Sequence, residues 1–596
     1  MSAYIPHALN IDTREDGTLI LSSGLTLPAV ADTTGDWLHY WAENAPERVF
    51  LAERDGNGWR ELTYAQALAQ TRAVATGLLR NGVGPGQGVV VLSGPSVNHG
   101  ILALATQYIG AFLVPLAEQY ALIPDAHPRL TYAVEKTRPA MVYAEDATPY
   151  AAALALPSLD GMAKVVGHNA TEGLIGFEAL AAETDDAAVD AAHAQVGPDT
   201  LAKILFTSGS TSLPKGVPQT HFMMCVNQAQ YQACLPFLSD HPPVMLDWMP
   251  WNHVFGGSSD FNMALANGGS LYLDDGKPLK GRFERTLENN RMISATMSLN
   301  VPIAYAMLVE AMRKDSALKQ QFFTGLDMIF YAGASLPKDV WDALEEMAIE
   351  VTGKVPMMTS SWGMTETAPM ALIHYQGGAE TGHIGVPGPQ LEAKLIPEQP
   401  GRYELRVRGP NVMAGYFEDP KKTAETFDEE GFMITQDAVR FVDENDRAKG
   451  VRFDGRISED FKLQSGTWVQ AGNLRLEALG ALSGLVQDVV ITGAGQKDLG
   501  LFIFPPAAMG LEDAGDGTVQ DTAYLAQLTE RLTALAAKAT GSSNRIRRFM
   551  VMAEPPSVGD GEITAKGSLN YNAILSRRAA LLERLYTDGD SGTVTV

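Results

Sequence analysis

Cysteine is almost absent from this 596-residue chain, which contains only Cys225 and Cys234. Two cysteines are too few for a disulfide framework or a cysteine-rich metal site. We expect both cysteines to be reduced, buried thiols. A single disulfide between them is the alternative. The eleven histidines are dispersed, and the two nearest in sequence are His374 and His383. The sequence therefore contains no local histidine pair of the zinc-binding kind.

Basic residues are scarce relative to acidic ones. Forty-five lysines and arginines face 70 aspartates and glutamates, which gives a formal net charge of −25. Because a nucleic-acid backbone requires a basic surface, this composition argues against nucleic-acid binding. An anionic small molecule would have to be held by a few local cations and by backbone N–H groups.

Long uninterrupted apolar stretches are also missing. The uncharged run 81–117 contains three prolines and seven glycines, so it cannot form one membrane-spanning helix. It predicts a strand near 89–93, a helix near 97–110 and a strand near 112–115. The N-terminus has neither the basic nor the apolar segment of a secretory signal. We therefore expect a cytoplasmic protein that does not associate with membranes.

Apolar runs that end in Gly, Ser or Asp alternate with helical patterns over the first three quarters of the chain. They include MVYAED, LAKILFTS, PVMLDWMP, GSLYLDD, MIFYAG and KVPMMTSSWG. This alternation predicts a large α/β domain of mostly parallel sheets with flanking helices, and ligands at the carboxyl ends of the strands. The Ala/Asp/Glu-rich segment 152–194 predicts peripheral helices and loops.

The pattern changes at Leu391 to shorter alternating strands, which predict a β-subdomain. After Arg456 it restarts as a smaller α+β unit, with a helix from about Leu474, strands at DVVITG, LGLFIFPP and RRFMVM, and a helix near 521–537. We predict a hinge near 455–460. The predicted domains are an N-terminal domain, 1–455, and a mobile C-terminal domain, 456–596.

The segment ILFTSGSTSLPKGV is the most informative in the chain. A hydrophobic strand leads directly into a loop made of Thr207, Ser208, Gly209, Ser210 and Thr211, and Lys215 follows. Glycines let backbone N–H groups turn toward phosphate oxygens, hydroxyls add donors, and the lysine adds a charge. The loop is not a Walker A motif, because Pro214 and Gly216 replace its second Gly and its Ser/Thr. A flexible Ser/Gly linker is the alternative, but a linker would not follow a buried strand directly.

This loop resembles the signature loop of the adenylate-forming superfamily, which includes acyl-CoA synthetases, peptide-synthetase adenylation domains and luciferases. Two further motifs follow in the family's order. YAGASLP, with Gly333 and Ala334, resembles the loop that packs on adenine. SSWGMTET, with Trp362, Thr365 and Glu366, resembles the aromatic-Gly-x-Thr-Glu motif. The resemblance implies that Glu366 holds Mg²⁺ against the ATP phosphates and that Thr365 donates to the α-phosphate.

Three more positions extend the resemblance. Asp437, in ITQDAVRF, stands where the family has an Asp on the ribose hydroxyls, although many members have TGD there. Arg456, in the hinge-like Asp-Gly-Arg motif, corresponds to an arginine that also contacts ribose. His253, in MPWNHVFGG, resembles the aromatic or histidine position at the mouth of the acyl pocket. A turn-forming aspartate and a core histidine are the respective alternatives for Asp437 and His253.

The segment SEDFKLQSGTWVQAGNLR is similar to feruloyl-CoA synthetases. That resemblance implies that Lys462, Gly466 and Trp468 guide CoA; a twisted hairpin with a packed tryptophan is the alternative. GDGEITAKGSLN contains Lys566, which resembles the catalytic lysine of adenylation. Ala565 precedes it where the family usually has glycine. After Lys497 the sequence has only Lys538 and Lys566.

The resemblance as a whole implies an acid–CoA ligase that uses ATP, Mg²⁺ and CoA and that forms an acyl-adenylate. The expected substrate is an aromatic acid, ferulate or a related hydroxycinnamate. Alternatives are a ligase for another aryl or fatty acid, an adenylating enzyme that loads a carrier protein, and an idle nucleotide-binding homologue. We also allow for a homodimer.

Overall fold

The computed structural model describes residues 4–207, 213–279, 281–333, 335–378, 380–506, 509–557, 560–563 and 569–596. The strands, in chain order, are Leu9–Thr13 (β1), Leu19–Ser23 (β2), Val49–Asp55 (β3), Gly58–Thr63 (β4), Gly88–Val91 (β5), Phe112–Pro115 (β6), Met141–Asp146 (β7), Ala163–His168 (β8), Ile175–Gly176 (β9), Leu201–Thr207 (β10), Lys215–Thr220 (β11), Val244–Asp247 (β12), Ser270–Leu273 (β13), Met297–Asn300 (β14), Met328–Tyr331 (β15), Met357–Gly363 (β16), Met370–Ile373 (β17), His383–Pro387 (β18), Glu392–Gln399 (β19), Arg402–Arg408 (β20), Met433–Phe441 (β21), Val451–Arg456 (β22), Phe461–Lys462 (β23), Trp468–Val469 (β24), Asp488–Thr492 (β25), Leu499–Phe504 (β26), Ile546–Val551 (β27) and Val594–Thr595 (β28).

The α-helices, in chain order, are Thr34–Asn44 (α1), Tyr64–Arg80 (α2), Val97–Tyr108 (α3), Gln119–Leu122 (α4), His127–Thr137 (α5), Ala151–Leu154 (α6), Phe177–Leu180 (α7), Asp186–His193 (α8), His221–Cys234 (α9), Phe261–Ala266 (α10), Phe283–Met292 (α11), Pro302–Lys314 (α12), Ser316–Phe323 (α13), Lys338–Thr352 (α14), Pro420–Ala424 (α15), Ala471–Ala481 (α16), Thr522–Ala537 (α17), Tyr571–Arg577 (α18) and Ala579–Leu585 (α19).

One sheet has the strand order β11-β10-β6-β5-β7-β8-β9, and its neighbours are parallel except for the antiparallel pair β10–β11. The run 81–117 forms β5, α3 and β6, as predicted. All four residues of β5 and all twelve of α3 are buried, which explains why this run carries no charge. The Ser96 hydroxyl caps α3 by accepting from the His99 N–H.

The second sheet joins parallel and antiparallel halves. Its central strands β3, β13, β12, β14, β15 and β16 are parallel. From β16 onward the order is β17, β18, β22, β21, β20, β19, β2 and β1, all antiparallel. The predicted large α/β part with an attached β-subdomain is thereby confirmed. The N-terminal hairpin β1–β2, which was not predicted, adds two strands to this subdomain.

The expectation of helices and loops alone over 152–194 is wrong in part. The segment contains β8 and β9, which lie at the edge of the parallel sheet next to β7. Val165 and Val166 are fully buried there. These two valines stand between Lys164 and Gly167, so the apolar run was too short to predict a strand.

A smaller α+β unit follows β22, as predicted. Its sheet has the order β25-β26-β27-β28, β23 and β24 form a separate hairpin, and α16 to α19 accompany them. The last strand of the large sheet ends at Arg456. The division into 1–455 and 456–596 stays a prediction, because no observation tests where one domain ends.

Both cysteines are free and buried, which confirms the expected reduced thiols. Burial raises the pKa of each thiol well above its ordinary value. In the described part of the chain, no helix is both long enough and apolar enough to span a membrane. Folding brings the centres of the His374 and His383 rings to 5.5 Å from each other, yet the described residues include no group of three or more acidic, histidine or cysteine side chains that could hold a metal ion.

Gly385, in β18, generates a prediction about stability. Its φ is +79°, and an added Cβ would lie 2.0 Å from the carbonyl oxygen of Ile373 on β17. We expect Gly385→Ala to lower the free energy of unfolding by at least about 3 kcal/mol, since the clash adds to the backbone strain. Gly431 is the matched control, with φ +79° and open space around its Cβ position.

Gly431→Ala should cost only about 1–2 kcal/mol, the price of a left-handed alanine. Urea unfolding of both variants, followed by circular dichroism, measures the difference. Equal destabilisation by the two substitutions would contradict the steric argument.

Candidate active site

The phosphate-loop candidate starts at the carboxyl end of β10. Thr207 is the last residue of β10 and pairs with Lys215, the first residue of β11. The Thr207 hydroxyl is buried and has no hydrogen-bond partner among the described residues. Ser208, Gly209, Ser210 and Thr211 lie outside the described residues. The two strands therefore fix both ends of the predicted loop at one edge of the sheet.

A second element approaches this edge from the other sheet. β16 ends at Gly363 and leads into a 3₁₀ turn, Thr365–Thr367, in which Thr365 and Glu366 are both buried. The Gln219 amide on β11 donates to the Thr365 carbonyl at 3.2 Å. This bond joins the two sheets at the point where the predicted phosphate-binding and metal-binding residues meet.

Tyr416 connects the two predicted charged residues. Lys215 Nζ donates to the Tyr416 hydroxyl at 2.9 Å, and that hydroxyl donates to Glu366 Oε1 at 2.8 Å. Lys215 Nζ also lies 4.3 Å from the centre of the Tyr416 ring. The structure thus assembles a continuous lysine–tyrosine–glutamate chain. Sequence analysis missed Tyr416, since a tyrosine in the loop segment NVMAGYFEDP carries no distinctive signal.

Burial shapes the electrostatics of this chain of residues. It lowers the pKa of Lys215, and the Glu366 carboxylate offsets part of that effect. Burial raises the pKa of Tyr416, and the neighbouring Glu366 charge raises it further. The tyrosine therefore remains a protonated donor, and the carboxylate is held at a defined position.

A second trio lies at the end of the β-subdomain. The Trp362 indole Nε1 donates to Asp437 Oδ2 at 2.9 Å, and Arg456 Nε lies 3.5 Å from Oδ1 of the same aspartate. Asp437 and Arg456 are direct partners in the β21–β22 ladder. The structure brings all three predicted residues together.

Gly333 lies two residues beyond the end of β15, with φ +85°, at the same edge of the sheet. A Cβ at this position would meet no atom closer than 4.0 Å. The glycine is therefore required for its backbone conformation rather than for space. Ala334, its partner in the predicted adenine loop, lies outside the described residues.

His253 precedes a π-helical turn, Phe255–Asp260. Its Nδ1 accepts from the Phe255 N–H at 3.3 Å, and its carbonyl accepts from the Gly257 N–H at 2.9 Å. Trp251 and Phe255 on either side are buried. The assignment of His253 to the acyl pocket stays a prediction.

A buried lysine that sequence analysis did not single out supports this turn. Lys203, on β10, donates from Nζ to the Gly257 carbonyl at 2.5 Å. Desolvation lowers the pKa of Lys203 to about 7. The strand that leads to the phosphate loop is thus bonded to the turn that follows His253.

The predicted CoA-binding residues form a separate hairpin. Lys462 and Trp468 pair across β23 and β24, with Lys462 Nζ 4.8 Å from the centre of the indole ring. Gly466 occupies the turn with φ +82°. Trp468 is 45% exposed. In this arrangement the three residues face solvent, and the structure does not bring them to Glu366 or Asp437.

Lys566 lies outside the described residues, and the structure describes the residues on both sides of that segment. Ile563 and Leu569 pair in an antiparallel bridge. Glu562 is fully buried and accepts from Arg578 at 2.8 and 2.9 Å. An added Cβ at Gly561 would lie 2.4 Å from the guanidinium of Arg129, on α5 of the N-terminal part. This stretch of the C-terminal unit therefore contacts the N-terminal part.

The described residues fit a magnesium ion held jointly with a substrate. No group of three potential ligands occurs among them. Mg²⁺ in nucleotide sites is commonly held by one or two carboxylates together with phosphate oxygens. Glu366 provides one buried carboxylate, and Tyr416 bonds to its Oε1. A single-carboxylate site that depends on bound phosphate is the arrangement that these residues allow.

Comparisons with known proteins identify the class. The family description "AMP-binding enzyme" matches residues 38–417, and "AMP-binding enzyme C-terminal domain" matches residues 470–590. The chain belongs to the AMP-binding enzyme family, whose members are ATP-dependent acid–CoA ligases and related adenylating enzymes.

Among curated relatives, 4-coumarate–CoA ligase 3 of Oryza sativa subsp. japonica is 26% identical over 413 residues, which are 66% of this chain and 69% of that protein. A carboxylic acid reductase of Mycobacterium tuberculosis is 25% identical over 575 residues. These cover 88% of this chain but only 46% of the reductase.

Solved structures confirm the fold. The anthranilate CoA ligase AuaEII in complex with anthranoyl-AMP has a TM-score of 0.71 at 20% identity, over 94% of this chain and 99% of that one. ATP-bound MatB from Rhodopseudomonas palustris has a TM-score of 0.69 at 20% identity, over 92% and 99% of the two chains. The large N-terminal α/β domain with a smaller C-terminal domain is the arrangement that this family shares.

The Tyr416 hydrogen bonds lead to a prediction about the site. We expect Tyr416→Phe to lower kcat/KM for MgATP by about 10- to 100-fold, because it removes a charge-assisted bond worth roughly 1.5–3 kcal/mol. Tyr272→Phe is the matched control, since Tyr272 donates to Glu61 at 3.0 Å on the exposed edge of the second sheet. Acid-dependent pyrophosphate release measures both variants. Equal rates for the wild-type protein and Tyr416→Phe would show that the tyrosine does not organise the site.

Proposed function

We propose that this protein is an acid–CoA ligase that activates an aromatic acid, ferulate or a related hydroxycinnamate, through an acyl-adenylate. The observation that carries the proposal is the joint placement of two groups. The Lys215–Tyr416–Glu366 chain and the Trp362–Asp437–Arg456 trio match the needs of a polyphosphate and of a ribose, respectively. The match to 4-coumarate–CoA ligases supports an aromatic acid.

In the first half-reaction a carboxylate oxygen attacks the α-phosphorus of ATP. A new O–P bond forms, the bond between the α-phosphorus and the oxygen bridging the α- and β-phosphates breaks, and pyrophosphate leaves. Asp437 accepts hydrogen bonds from the ribose hydroxyls, and Arg456 adds a donor beside it. Lys215 and the phosphate loop neutralise the leaving group, and the Thr365 hydroxyl donates to the α-phosphate.

Glu366 would hold the magnesium ion, whose positive charge would neutralise phosphate oxygens. Glu366 is suited to this role because it is buried and oriented by Tyr416. Lys566 supplies a second positive charge between the carboxylate and the α-phosphate. His253 provides a polar neighbour for the acid at the mouth of the acyl pocket.

In the second half-reaction the CoA thiol gives up its proton to solvent, and its sulfur attacks the acyl carbon. The C–S bond forms, the bond from the acyl carbon to the phosphate oxygen breaks, and AMP leaves. Lys462, Gly466 and Trp468 guide CoA after the C-terminal domain has turned this hairpin toward the site. A carrier-protein thiol is the alternative acceptor.

The substrate prediction is tested with a panel of acids. Ferulate, caffeate, p-coumarate, benzoate and octanoate are each supplied with MgATP and CoA, and thioester and AMP are measured. We expect the three hydroxycinnamates to give kcat/KM values at least tenfold above that of octanoate. A highest value for octanoate would reject the aromatic acid. AMP formation without thioester, under conditions where a phosphopantetheinyl carrier protein is acylated, would reject CoA as the acceptor.

The role of Lys566 is tested by separating the half-reactions. A unit charge pair at about 4 Å with an effective dielectric near 20 interacts by roughly 4 kcal/mol, so Lys566→Ala should slow adenylation by about a thousandfold. Thioester formation from supplied feruloyl-AMP and CoA should remain. Lys538→Ala, which removes an exposed lysine after α17, is the control and should change neither step. Unchanged adenylation in Lys566→Ala would reject the assignment of this lysine.

A further inference from the structure

Arg402, on β20, is the largest side chain among the fully buried residues and lies in a cluster of carboxylates. Its Nε donates to Asp454 Oδ2 at 2.9 Å, and its Nη1 bonds to Glu398 at 2.5 Å. Its Nη2 bonds to Asp460 Oδ2 at 2.5 Å. The guanidinium is 1% exposed, so its charge depends entirely on these partners.

The partners of Arg402 lie on opposite sides of the predicted hinge. Glu398 and Asp454 belong to β19 and β22 of the large sheet. Asp460 follows the last strand of that sheet and directly precedes β23 of the C-terminal unit. Of the three carboxylates, only the Asp460 carboxylate can move with the C-terminal unit. The Arg402–Asp460 bond therefore spans the segment about which that unit would turn.

Asp460 is far more buried than an ordinary surface carboxylate. Its side chain is 3% exposed. Burial raises the pKa of Asp460 to about 6, while Arg402 acts in the opposite direction. The carboxylate is thus ionised at neutral pH, and a rotation that took it from Arg402 would leave two charges to be solvated again.

In the domain arrangement that contains the Arg402–Asp460 bond, one face of the C-terminal unit lies against the N-terminal part. Gly561, five residues before Lys566, lies against Arg129 on α5. The Lys462–Trp468 hairpin faces solvent at the same time. A further bond across the boundary, from the Asn473 amide to Asp454 Oδ1 at 3.3 Å, belongs to the same arrangement.

We propose that Arg402 and Asp460 are positioning residues that hold the C-terminal domain in the arrangement used for adenylation, and that their bond must break before CoA can react. This inference rests on the proposed two-step function. Neither residue touches a predicted substrate position. They set the ratio of the two half-reactions by stabilising one domain arrangement over the other.

The test compares two variants that each remove one carboxylate from the same arginine. Asp460→Asn removes the partner beyond the hinge. Glu398→Gln removes a partner on the same side as Arg402 and is the matched control. Single-turnover adenylation of the best acid in the panel, and thioester formation from its supplied adenylate, are measured for each. A charge-assisted bond of ordinary strength shifts the domain equilibrium by about tenfold or more when it is removed.

We expect Asp460→Asn to lower the ratio of adenylation to thioester formation by about tenfold, and Asp460→Glu to restore most of it. Glu398→Gln should leave the ratio at the wild-type value. An unchanged ratio in Asp460→Asn, or an equal change in both variants, would overturn the proposal. Equal change would mean that Arg402 merely stabilises the local fold.

A distance measurement tests the proposal without relying on either half-reaction. Spin labels at Ala317→Cys and Gln527→Cys, both exposed positions on α13 and α17, report the separation of the two parts. The native cysteines are buried and should not react. Asp460→Asn should add a second distance population, whereas a distribution identical to the wild-type protein would reject the proposal. If wild-type protein formed no thioester from any acid, the proposed function would fail, and these distances would still test the Arg402–Asp460 bond.

Discussion

The hydroxyl of Tyr416 accepts a hydrogen bond from Lys215 and donates one to Glu366, and the geometry of the site depends on this pair of bonds. The lysine starts a strand of one sheet, whereas the glutamate follows a strand of the other. A buried lysine and a buried carboxylate each carry a desolvation cost that a partner must offset. The tyrosine bonds to both, and in doing so it fixes the distance between the two sheets where their strands end.

Because the protein is strongly acidic, the rest of the site also depends on individual cations held in place by neighbouring groups. A net charge of −25 repels a nucleotide polyphosphate at long range, so attraction has to be local. Arg456 lies beside the Asp437 carboxylate, and Lys215 is linked to the Glu366 carboxylate through the Tyr416 hydroxyl, so both cations are oriented. The wide antiparallel β-subdomain contributes Asp437 and Arg456, and the α/β part contributes Lys215, Gly333 and Thr365. Neither part alone contains the complete set.

Elements and site residues could be predicted from the sequence where the local sequence pattern was strong. The β5–α3–β6 unit was predicted within two residues of its ends, because its residues are buried throughout and glycines and prolines mark its turns. Trp362, Asp437 and Arg456 were named in advance, and their proximity needed only the strand pairing that the structure supplies. The edge strands β8 and β9 were missed, since two valines in an alanine-rich segment do not define a period.

Residues that act through tertiary contacts had no sequence signal of their own. Tyr416 and Arg402 matter because of partners 50 to 201 residues away in the chain, and no local pattern encodes such pairs. Lys203 lies within a predicted strand and has no signal of its own. Its contact with Gly257 depends on how the π-helical turn packs. The orientation of the Lys462–Trp468 hairpin likewise follows from the placement of a whole domain.

The burial of Cys225 and Cys234 has a consequence for redox chemistry. The nucleophilic form of cysteine is the thiolate, and burial raises the pKa of both thiols far from neutrality. Small-molecule thiols are accompanied by their disulfides, which react with accessible thiolates. With both of its cysteine thiols protonated and enclosed, this protein offers no partner for thiol–disulfide exchange. A small-molecule disulfide therefore cannot trap it as a mixed disulfide while it stays folded.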